Sequence, residues 1–227
     1  MTYIEFVQGY IKNQPEGTPI YTDKIADALT DHYGLEKKKA AAAAAVAVKR
    51  IIDGEIVPEL RFYQKGIYYR TATTPSGETG IDKEQLIVNK YLANDNGYET
   101  GPGLLHSLGL TSQIPDERII ATNSIKDCLR HDDKLGVSIC PPKTRINAEN
   151  KAYLQLLDAL DIMESAPVDA EKPYEILAEH VRSSGLQYER LLYYADKFYN
   201  RRTVISSPIQ RDILLILKKY DMPIHRA

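Results

Sequence analysis

The sequence lacks any long apolar run, and this excludes a class of membrane proteins. No stretch of about 18 apolar residues occurs within the 227 residues, so no membrane-spanning helix is predicted. The first residues, Met1 to Glu5, carry no basic segment ahead of an apolar one, so no signal peptide is predicted. We therefore expect a cytoplasmic protein without a membrane partner.

Cysteine is scarce as well. The chain has two cysteines, Cys128 and Cys140, and their spacing matches neither a Cys-x-x-Cys motif nor a metal site. Because disulfides persist mainly in oxidising compartments, we expect these two isolated cysteines to be buried free thiols in a reducing cytosol.

Motifs that mark catalytic sites are also missing. The chain has no Gly-x-Ser-x-Gly, no His-Glu-x-x-His and no Cys-x-x-Cys. The nearest acid–base cluster is His131-Asp132-Asp133, in which neighbouring side chains would point to opposite faces of a strand. Gly101 and Gly103 lack the spacing of a phosphate-binding loop. The sequence therefore predicts no catalytic residue, no metal ligand, no cofactor and no enzyme activity.

The chain also lacks a strong net charge. The whole chain carries −2 at pH 7, and residues 1–74 hold 10 Lys and Arg against 9 Asp and Glu. The basic residues of that part are nevertheless concentrated at positions 37–39, 49–50 and 61–70, while most of the acids lie at or before Glu36. Local clusters suit phosphate binding, but the near-neutral total predicts modest non-specific affinity for nucleic acid.

What the sequence does contain is one highly regular stretch, Glu36–Tyr69. Alanine is the strongest helix former, so Ala40–Ala45 and the flanking residues predict a long helix that ends at Asp53-Gly54. The β-rich runs around Arg61–Lys65 predict a hairpin. A basic helix followed directly by a basic hairpin is typical of a winged helix-turn-helix protein.

Two shorter helices precede this stretch. Apolar residues at helical spacing predict a first helix over about Thr2–Asn13. Thr22 is predicted to be the N-cap of a second helix, which ends near Gly34. Three helices with a hairpin predict a winged helix-turn-helix DNA-binding domain over residues 1–72. A generic small helical domain with a β-arm is the alternative.

Beyond a polar linker at 71–80, the chain predicts an α+β domain and then a helical region. The predicted domains are residues 81–145 and 146–227, which gives an α+β fold class overall. The central domain is predicted to hold helices over Asp82–Leu92 and Leu104–Leu108 and an antiparallel sheet of the strands Arg118–Thr122, Ser124–Leu129 and Leu135–Cys140. The C-terminal helices are predicted over Asn147–Glu164, Pro173–Ser184 and Leu186–Tyr199, and from Ser207-Pro208 onward.

Three lysines at the start of the long helix carry the functional argument. Lys37, Lys38 and Lys39 oppose the helix macrodipole, which is unfavourable unless an anion compensates. In helix-turn-helix proteins this end of the second helix faces the major groove, among phosphates, and this favours a DNA contact. A solvated charge run that tolerates the penalty is the alternative.

Two pairs of segments resemble one protein family. Lys49–Val57 followed by Lys65–Tyr69 resembles the end of the DNA-reading helix and the wing in AbiEi-like antitoxins, the antitoxin and regulator components of type IV abortive-infection systems. Thr100–Pro115 followed by Ala121–Asn123 resembles the start of that family's second domain. The resemblance covers roughly residues 1–145.

This resemblance implies a bacterial transcriptional regulator that binds inverted repeats in its own promoter cooperatively and represses it. It also implies a C-terminal region that neutralises a nucleotidyltransferase-like toxin. The implied partners are therefore double-stranded DNA and this toxin, while the operator sequence and the oligomeric state stay open.

Nine residues are the candidate DNA contacts, from the two ends of the long helix and from the wing. They are Lys37, Lys38, Lys39, Lys49, Arg50, Arg61, Tyr63, Gln64 and Lys65. The alternative function is a protein-interaction module whose winged helix no longer binds DNA, with the helical C-terminal third as its functional surface. The low net charge and the run of alanines favour this alternative.

Overall fold

Contacts between residues divide the chain into two units, each with its own helices and sheet. The computed structural model describes residues 2–75, 77–199 and 215–216. The N-terminal unit comprises Met1–Leu86, and the C-terminal unit comprises Ile87–Ala227. Helices and strands occur in both, which confirms the mixed α+β fold class.

In the N-terminal unit, helices pack with a small antiparallel sheet. The sheet has the order β1-β3-β2, so β3, which comes last of the three in the sequence, is the central strand. A separate two-stranded ribbon of β4 and β5 follows. The elements are α1 (Tyr3–Lys12), β1 (Ile20–Tyr21), α2 (Thr22–Tyr33), α3 (Lys37–Asp53), β2 (Leu60–Gln64), β3 (Ile67–Arg70), β4 (Thr73–Thr74), β5 (Gly77–Glu78) and α4 (Lys83–Ile87).

The ends of α1 and α3 follow local sequence signals. Thr2 and Glu5 form a capping box at the start of α1, in which each residue's backbone N–H donates to the other's side chain. Helix α3 ends at Asp53, as predicted, and the Gly54 N–H donates to the Arg50 carbonyl at 3.0 Å. Both helix boundaries are therefore encoded by residues next to them in the chain.

The start of α2 differs from the prediction. Tyr21, not Thr22, holds the N-cap position, and its side chain makes no capping hydrogen bond. The reason is that β1 runs directly into α2. Thr22 donates its backbone N–H (2.9 Å) and its hydroxyl (3.3 Å) to the Gly66 carbonyl. Gly66 has a φ of +80°, the left-handed conformation that a two-residue hairpin turn favours, so the turn is anchored at the start of α2.

Small residues form the inner face of α3. Ala40, Ala44 and Ala47 are buried, and Val48 and Ile51 extend the same face. They share a core with apolar residues of α1, α2 and the sheet, namely Val7, Ile11, Ile20, Ile25, Leu29 and Leu60. Because alanine fills little space, neighbouring helices can approach α3 closely. Part of the alanine run therefore builds the core.

A short ribbon stands where the sequence predicts a linker. The Thr71 hydroxyl donates to the Thr79 carbonyl at 2.8 Å, and the Asp82 N–H donates to the Gly17 carbonyl at 2.8 Å. These bonds join residues 71–82 to the N-terminal unit. The division between the two units accordingly falls after Leu86.

The C-terminal unit combines a four-stranded sheet with helices. Its strands follow the order β6-β7-β9-β8, and β7 pairs with β9 in parallel while the other pairs are antiparallel. Helix α4 continues into a π-helical turn over Val88–Leu92 ahead of the sheet. The elements are β6 (Gly97–Thr100), α5 (Gly101–Ser107), β7 (Arg118–Thr122), β8 (Arg130–Asp132), β9 (Val137–Cys140), α6 (Lys151–Met163), α7 (Pro173–Ser183) and α8 (Tyr188–Tyr194), which ends in a π-helical turn over Ala195–Tyr199.

The predicted sheet needs three corrections. The strand predicted at 124–129 is a run of turns, because the Ser124 N–H and the Asn96 amide both donate to the Thr122 hydroxyl and draw the chain out of line with β7. The sheet is mixed rather than antiparallel, since β9 returns beside β7 in the same direction. The strand β6, Gly97–Thr100, is absent from the prediction, which has no strand before Arg118 in this part of the chain.

Helices α5 to α8 lie where helices are predicted, within a few residues at their ends. They share one apolar core, with members such as Leu104, Leu105, Leu156, Leu160 and Leu177. This core joins α5 to the later helices, and the unit Ile87–Ala227 contains residues of both predicted domains, 81–145 and 146–227.

The last predicted helix, from Ser207-Pro208, lies outside the described residues, although Leu215 and Ile216 are helical. In the described ranges, no helix combines the length and apolar character needed to cross a bilayer.

Replacing Gly97 by alanine is expected to destabilise the C-terminal unit. A Cβ there would lie 2.3 Å from the Tyr91 carbonyl oxygen and 2.7 Å from the Ala121 carbonyl oxygen, both backbone atoms fixed by neighbouring elements. We expect a loss of about 2 kcal/mol in the free energy of unfolding, measured by denaturant titration.

The matched control is Gly9→Ala in α1, where a new Cβ meets nothing within 4 Å. We expect this change to raise the free energy of unfolding by about 0.5–1 kcal/mol, because alanine favours a helix over glycine. Wild-type stability in Gly97→Ala would contradict the close packing at β6.

Candidate nucleic-acid interface

The N-terminus of α3 presents three exposed lysines. Lys37, Lys38 and Lys39 occupy the first turn of this 17-residue helix, and that turn contains no acid. The N-cap residue Glu36 makes no side-chain capping hydrogen bond. Within the described part of the chain, the three lysines form no salt bridge. An anion at this end would therefore be stabilised both by the lysines and by the helix dipole.

Exposed cations also lie near the other end of the same helix. Lys49 and Arg50 are both exposed. Lys38 and Lys49 are eleven residues apart, which is close to three helical turns, so they lie on the same side of α3. Their separation along the axis is about 16 Å at 1.5 Å per residue. The helix therefore presents positive charge at both ends of one outer face.

The middle of that outer face is small and apolar. Ala42 and Ala45 are exposed between the two lysines, and Val46 beside them is 50% exposed. None of these side chains can donate or accept a hydrogen bond. A partner can approach this part of α3 closely and contact its methyl groups, but these side chains cannot recognise it through hydrogen bonds.

Arg61 forms a salt bridge with Glu78 of β5, within the N-terminal unit. Its Nη2 lies 2.6 Å from Glu78 Oε1, its Nε lies 3.1 Å from Oε2, and its Nη1 donates to the Pro58 carbonyl at 2.6 Å. The hydrogen bond from Arg61 lowers the pKa of Glu78, and the same bond raises the pKa of Arg61. Glu78 thus occupies the paired Nε and Nη2 donors of Arg61, which a phosphate could otherwise accept from in a bidentate contact.

The remaining wing candidates lie near the hairpin turn. Lys65 is exposed in the turn, next to Gly66. Tyr63 and Gln64 are half-buried, and the ladder shifts between Phe62 and Gln64, so Tyr63 lies in a β-bulge. Of the four predicted wing residues, Lys65 is the cation that faces solvent most fully.

Sequence reasoning misses two residues of this region. Phe62 is 61% exposed on the edge strand β2, and Glu78 pairs with Arg61. An aromatic residue in a strand normally indicates a covered face, so its sequence position alone suggests burial. Glu78 falls in the stretch predicted as a linker, where no long-range pairing is expected.

The C-terminal unit contains a buried carboxyl group that the sequence analysis also misses. Asp158 in α6 is 8% exposed and accepts hydrogen bonds from the hydroxyls of Thr100 (2.8 Å) and Tyr199 (2.6 Å). Burial raises the pKa of Asp158, of Tyr199 and of the neighbouring Tyr98. The Tyr98 hydroxyl is buried without a hydrogen-bond partner among the described residues. A single acid on the apolar face of a helix is the sequence signal for such a group.

A cavity of about 330 Å³ adjoins Asp158. Its lining includes Cys140, Lys143 and Asp161, and the Lys143 Nζ lies 3.7 Å from the Asp161 carboxylate. Burial raises the pKa of the Cys140 thiol to about 11, so the thiol stays protonated and weakly nucleophilic at neutral pH. The cavity therefore does not present an activated thiol.

The cluster at 131–133 is divided between two environments. His131 Nδ1 lies 3.1 Å from Glu117 Oε1 and 3.2 Å from the Ser138 hydroxyl, whereas Asp132 accepts a 2.7 Å hydrogen bond from the Tyr91 hydroxyl. Adjacent strand residues point to opposite faces, so they contact different partners. Across the described ranges, no group of three His, Cys, Asp or Glu side chains is placed to hold a metal ion.

No protein-family model matches the chain, and no curated protein matches it significantly. The resemblance to AbiEi-like antitoxins therefore stays a prediction.

The buried carboxyl group predicts a pH-dependent stability. Because burial raises the pKa of Asp158 above its value in the unfolded chain, the folded protein binds that proton more tightly. Its contribution to the free energy of unfolding therefore falls as the pH rises from the unfolded pKa, about 4, towards the folded pKa.

We expect Asp158→Asn, which does not titrate, to lessen this decline in denaturant titrations from about pH 4 to pH 7. If Asp158→Asn and wild type show the same pH dependence, the carboxyl group titrates alike in both states.

Proposed function

We propose that this chain is a DNA-binding transcriptional regulator whose N-terminal unit is a winged helix-turn-helix domain. The observation that carries the proposal is the exposed lysine turn of α3, which no acid in that turn balances. The element order α1-β1-α2-α3-β2-β3, with β3 between β1 and β2, supports it, because a hairpin then follows the second and third helices and is tied to the start of α2.

In this proposal α3 is the reading helix. The major groove is about 12 Å wide and admits one α-helix. Lys37, Lys38 and Lys39 enter it at the helix N-terminus, among phosphates, while Lys49 and Arg50 meet phosphates at the far end. The separation of about 16 Å between the two groups suits contacts to the backbones on both sides of the groove.

Base recognition by α3 is limited by its outer face. Ala42, Ala45 and Val46 can contact the thymine methyl group but cannot bond to base edges. Hydrogen-bonded readout therefore falls to the lysine turn and to the hairpin residues Tyr63 and Gln64. A protein of this kind relies strongly on phosphate contacts and on DNA shape.

The proposal extends to a biological role through the resemblance described above. In that role the protein is the antitoxin of a bacterial type IV toxin-antitoxin, or abortive-infection, system. It acts in the cytoplasm, represses its own promoter and has no enzyme activity. Its C-terminal unit contacts a nucleotidyltransferase-like toxin.

Replacing Lys37, Lys38 and Lys39 together by alanine tests the DNA interface. Each lysine that neutralises a phosphate contributes about 0.9 to the slope of log K against log salt concentration. We expect weaker binding to every duplex and a salt slope that is shallower by about 2–3. Fluorescence anisotropy with a duplex from upstream of the gene, titrated at several salt concentrations, measures both quantities.

The matched control removes the same charge elsewhere. Lys83, Lys126 and Lys172 are exposed lysines outside α3, and their triple alanine variant should bind DNA as wild type does. If the α3 variant keeps wild-type affinity and salt slope, the lysine turn does not contact DNA.

A protein-interaction module without DNA binding is the second candidate. The pairing of Arg61 with Glu78 favours it, because this pairing occupies one of the predicted DNA-contacting cations. The exposed apolar side chain of Val46 on α3 favours it as well.

Glu78→Gln tests whether the Arg61 side of the hairpin contributes to DNA binding. If the hairpin binds DNA, the weakened pair releases Arg61 to a phosphate, so the affinity rises severalfold and the salt slope steepens by about one. Adding Arg61→Ala to Glu78→Gln should remove this gain. If Glu78→Gln changes neither affinity nor slope, Arg61 makes no phosphate contact.

A further inference from the structure

Phe62 is a hairpin residue that the proposed phosphate contacts leave unexplained. Its side chain is 61% exposed on the edge strand β2. Within the described residues β2 pairs with β3 alone, so β2 forms an edge of the sheet. Removing apolar surface from water is favourable, so a partner that covers the ring gains binding energy.

The ring is supported by Tyr68 of the neighbouring strand. Phe62 lies opposite Tyr68 in the ladder, and the two rings meet edge to face with centroids 5.6 Å apart and planes at 66°. Tyr68 in turn packs against the core of the N-terminal unit. This contact restrains the aromatic ring while most of its surface stays in solvent.

The hairpin around Phe62 is also fixed in place. The register shift that follows Phe62 adds local twist and re-aims the side chains near the turn. The Gly66 carbonyl is held by Thr22 at the start of α2. Lys65 is exposed in the turn, three residues beyond Phe62. A rigid hairpin therefore carries an apolar ring close to a cation, which is a combination suited to DNA.

We propose that Phe62 is an apolar wedge that the hairpin inserts between base pairs in the minor groove of duplex DNA. This inference rests on the proposed DNA-binding function. Apolar side chains in this position partly unstack a base step and kink the duplex, while neighbouring cations hold the phosphates. Pyrimidine–purine steps unstack most readily, so the wedge gives a preference for such steps without hydrogen bonds to bases.

The test measures affinity, salt slope and base unstacking in the same duplexes. The probes are duplexes from upstream of the gene, each with 2-aminopurine at one pyrimidine–purine step, because 2-aminopurine fluorescence rises when the base unstacks. Wild type should raise the fluorescence at one step. Phe62→Ala should lose this rise and bind roughly tenfold more weakly, with the salt slope unchanged because no phosphate contact is lost.

Two controls define the effect. Phe62→Leu keeps an apolar wedge and should retain most of the affinity and the fluorescence rise. Ile114→Ala removes an exposed apolar side chain of the C-terminal unit, 81% exposed, and should bind as wild type does. Thermal unfolding of each variant confirms that the N-terminal unit stays folded.

Three results would overturn the wedge. The first is wild-type affinity in Phe62→Ala, and the second is a fluorescence rise that survives the substitution. The third is a shallower salt slope in Phe62→Ala, which would mean that the substitution had disturbed the contacts of lysine or arginine with phosphates. Each leaves DNA binding by the lysine turn intact. Absence of wild-type binding at low salt would instead reject the proposed function itself, and the wedge with it.

Discussion

The pairing of β1 with β3 is the constraint on which the N-terminal unit depends. Ile20 and Tyr21 lie opposite Tyr68 and Ile67, which come much later in the chain. This pairing puts β3 in the middle of the sheet and brings the hairpin turn to the start of α2. An isolated two-stranded hairpin is marginally stable in water. The orientation of the hairpin therefore depends on this short ladder.

In this unit the arginines of the hairpin form intramolecular contacts, whereas the lysines of α3 are exposed. Arg61 is tied to Glu78, and Arg70 is tied to Glu59 and to the carbonyls of Lys12 and Gln14. A guanidinium has five donors in one plane, so it can join several acceptors at once. The exposed lysines carry a compact charge on a flexible stem. The two arginines thus hold the hairpin in place, while the charge left for a partner is largely lysine charge.

Local signals determine how far the sequence predicts this fold. The bounds of α3 follow from alanine propensity and from Gly54, and the hairpin follows from its β-rich runs around the turn. The parallel pairing of β7 with β9 and the pairing of Arg61 with Glu78 depend on residues far apart in the chain, which periodicity does not report.

The candidate interface likewise has residues that the local sequence predicts and one that it does not. The exposure of Lys37, Lys38 and Lys39 follows from the helical pattern, because the apolar residues of α3 define its inner side. The exposure of Phe62 does not, since it depends on β2 being an edge strand, which is a property of the whole sheet.

The outer alanines of α3 have a consequence for how such a protein diversifies. Ala41, Ala42 and Ala45 face water, whereas Ala40 and Ala44 are buried in the core. Substitutions at exposed sites away from buried contacts usually change the free energy of unfolding by no more than about 0.5 kcal/mol. A duplicated copy of the gene can therefore acquire new side chains on this face one at a time, and each intermediate still folds. Two descendants can then differ in the partner they select while they keep the same fold.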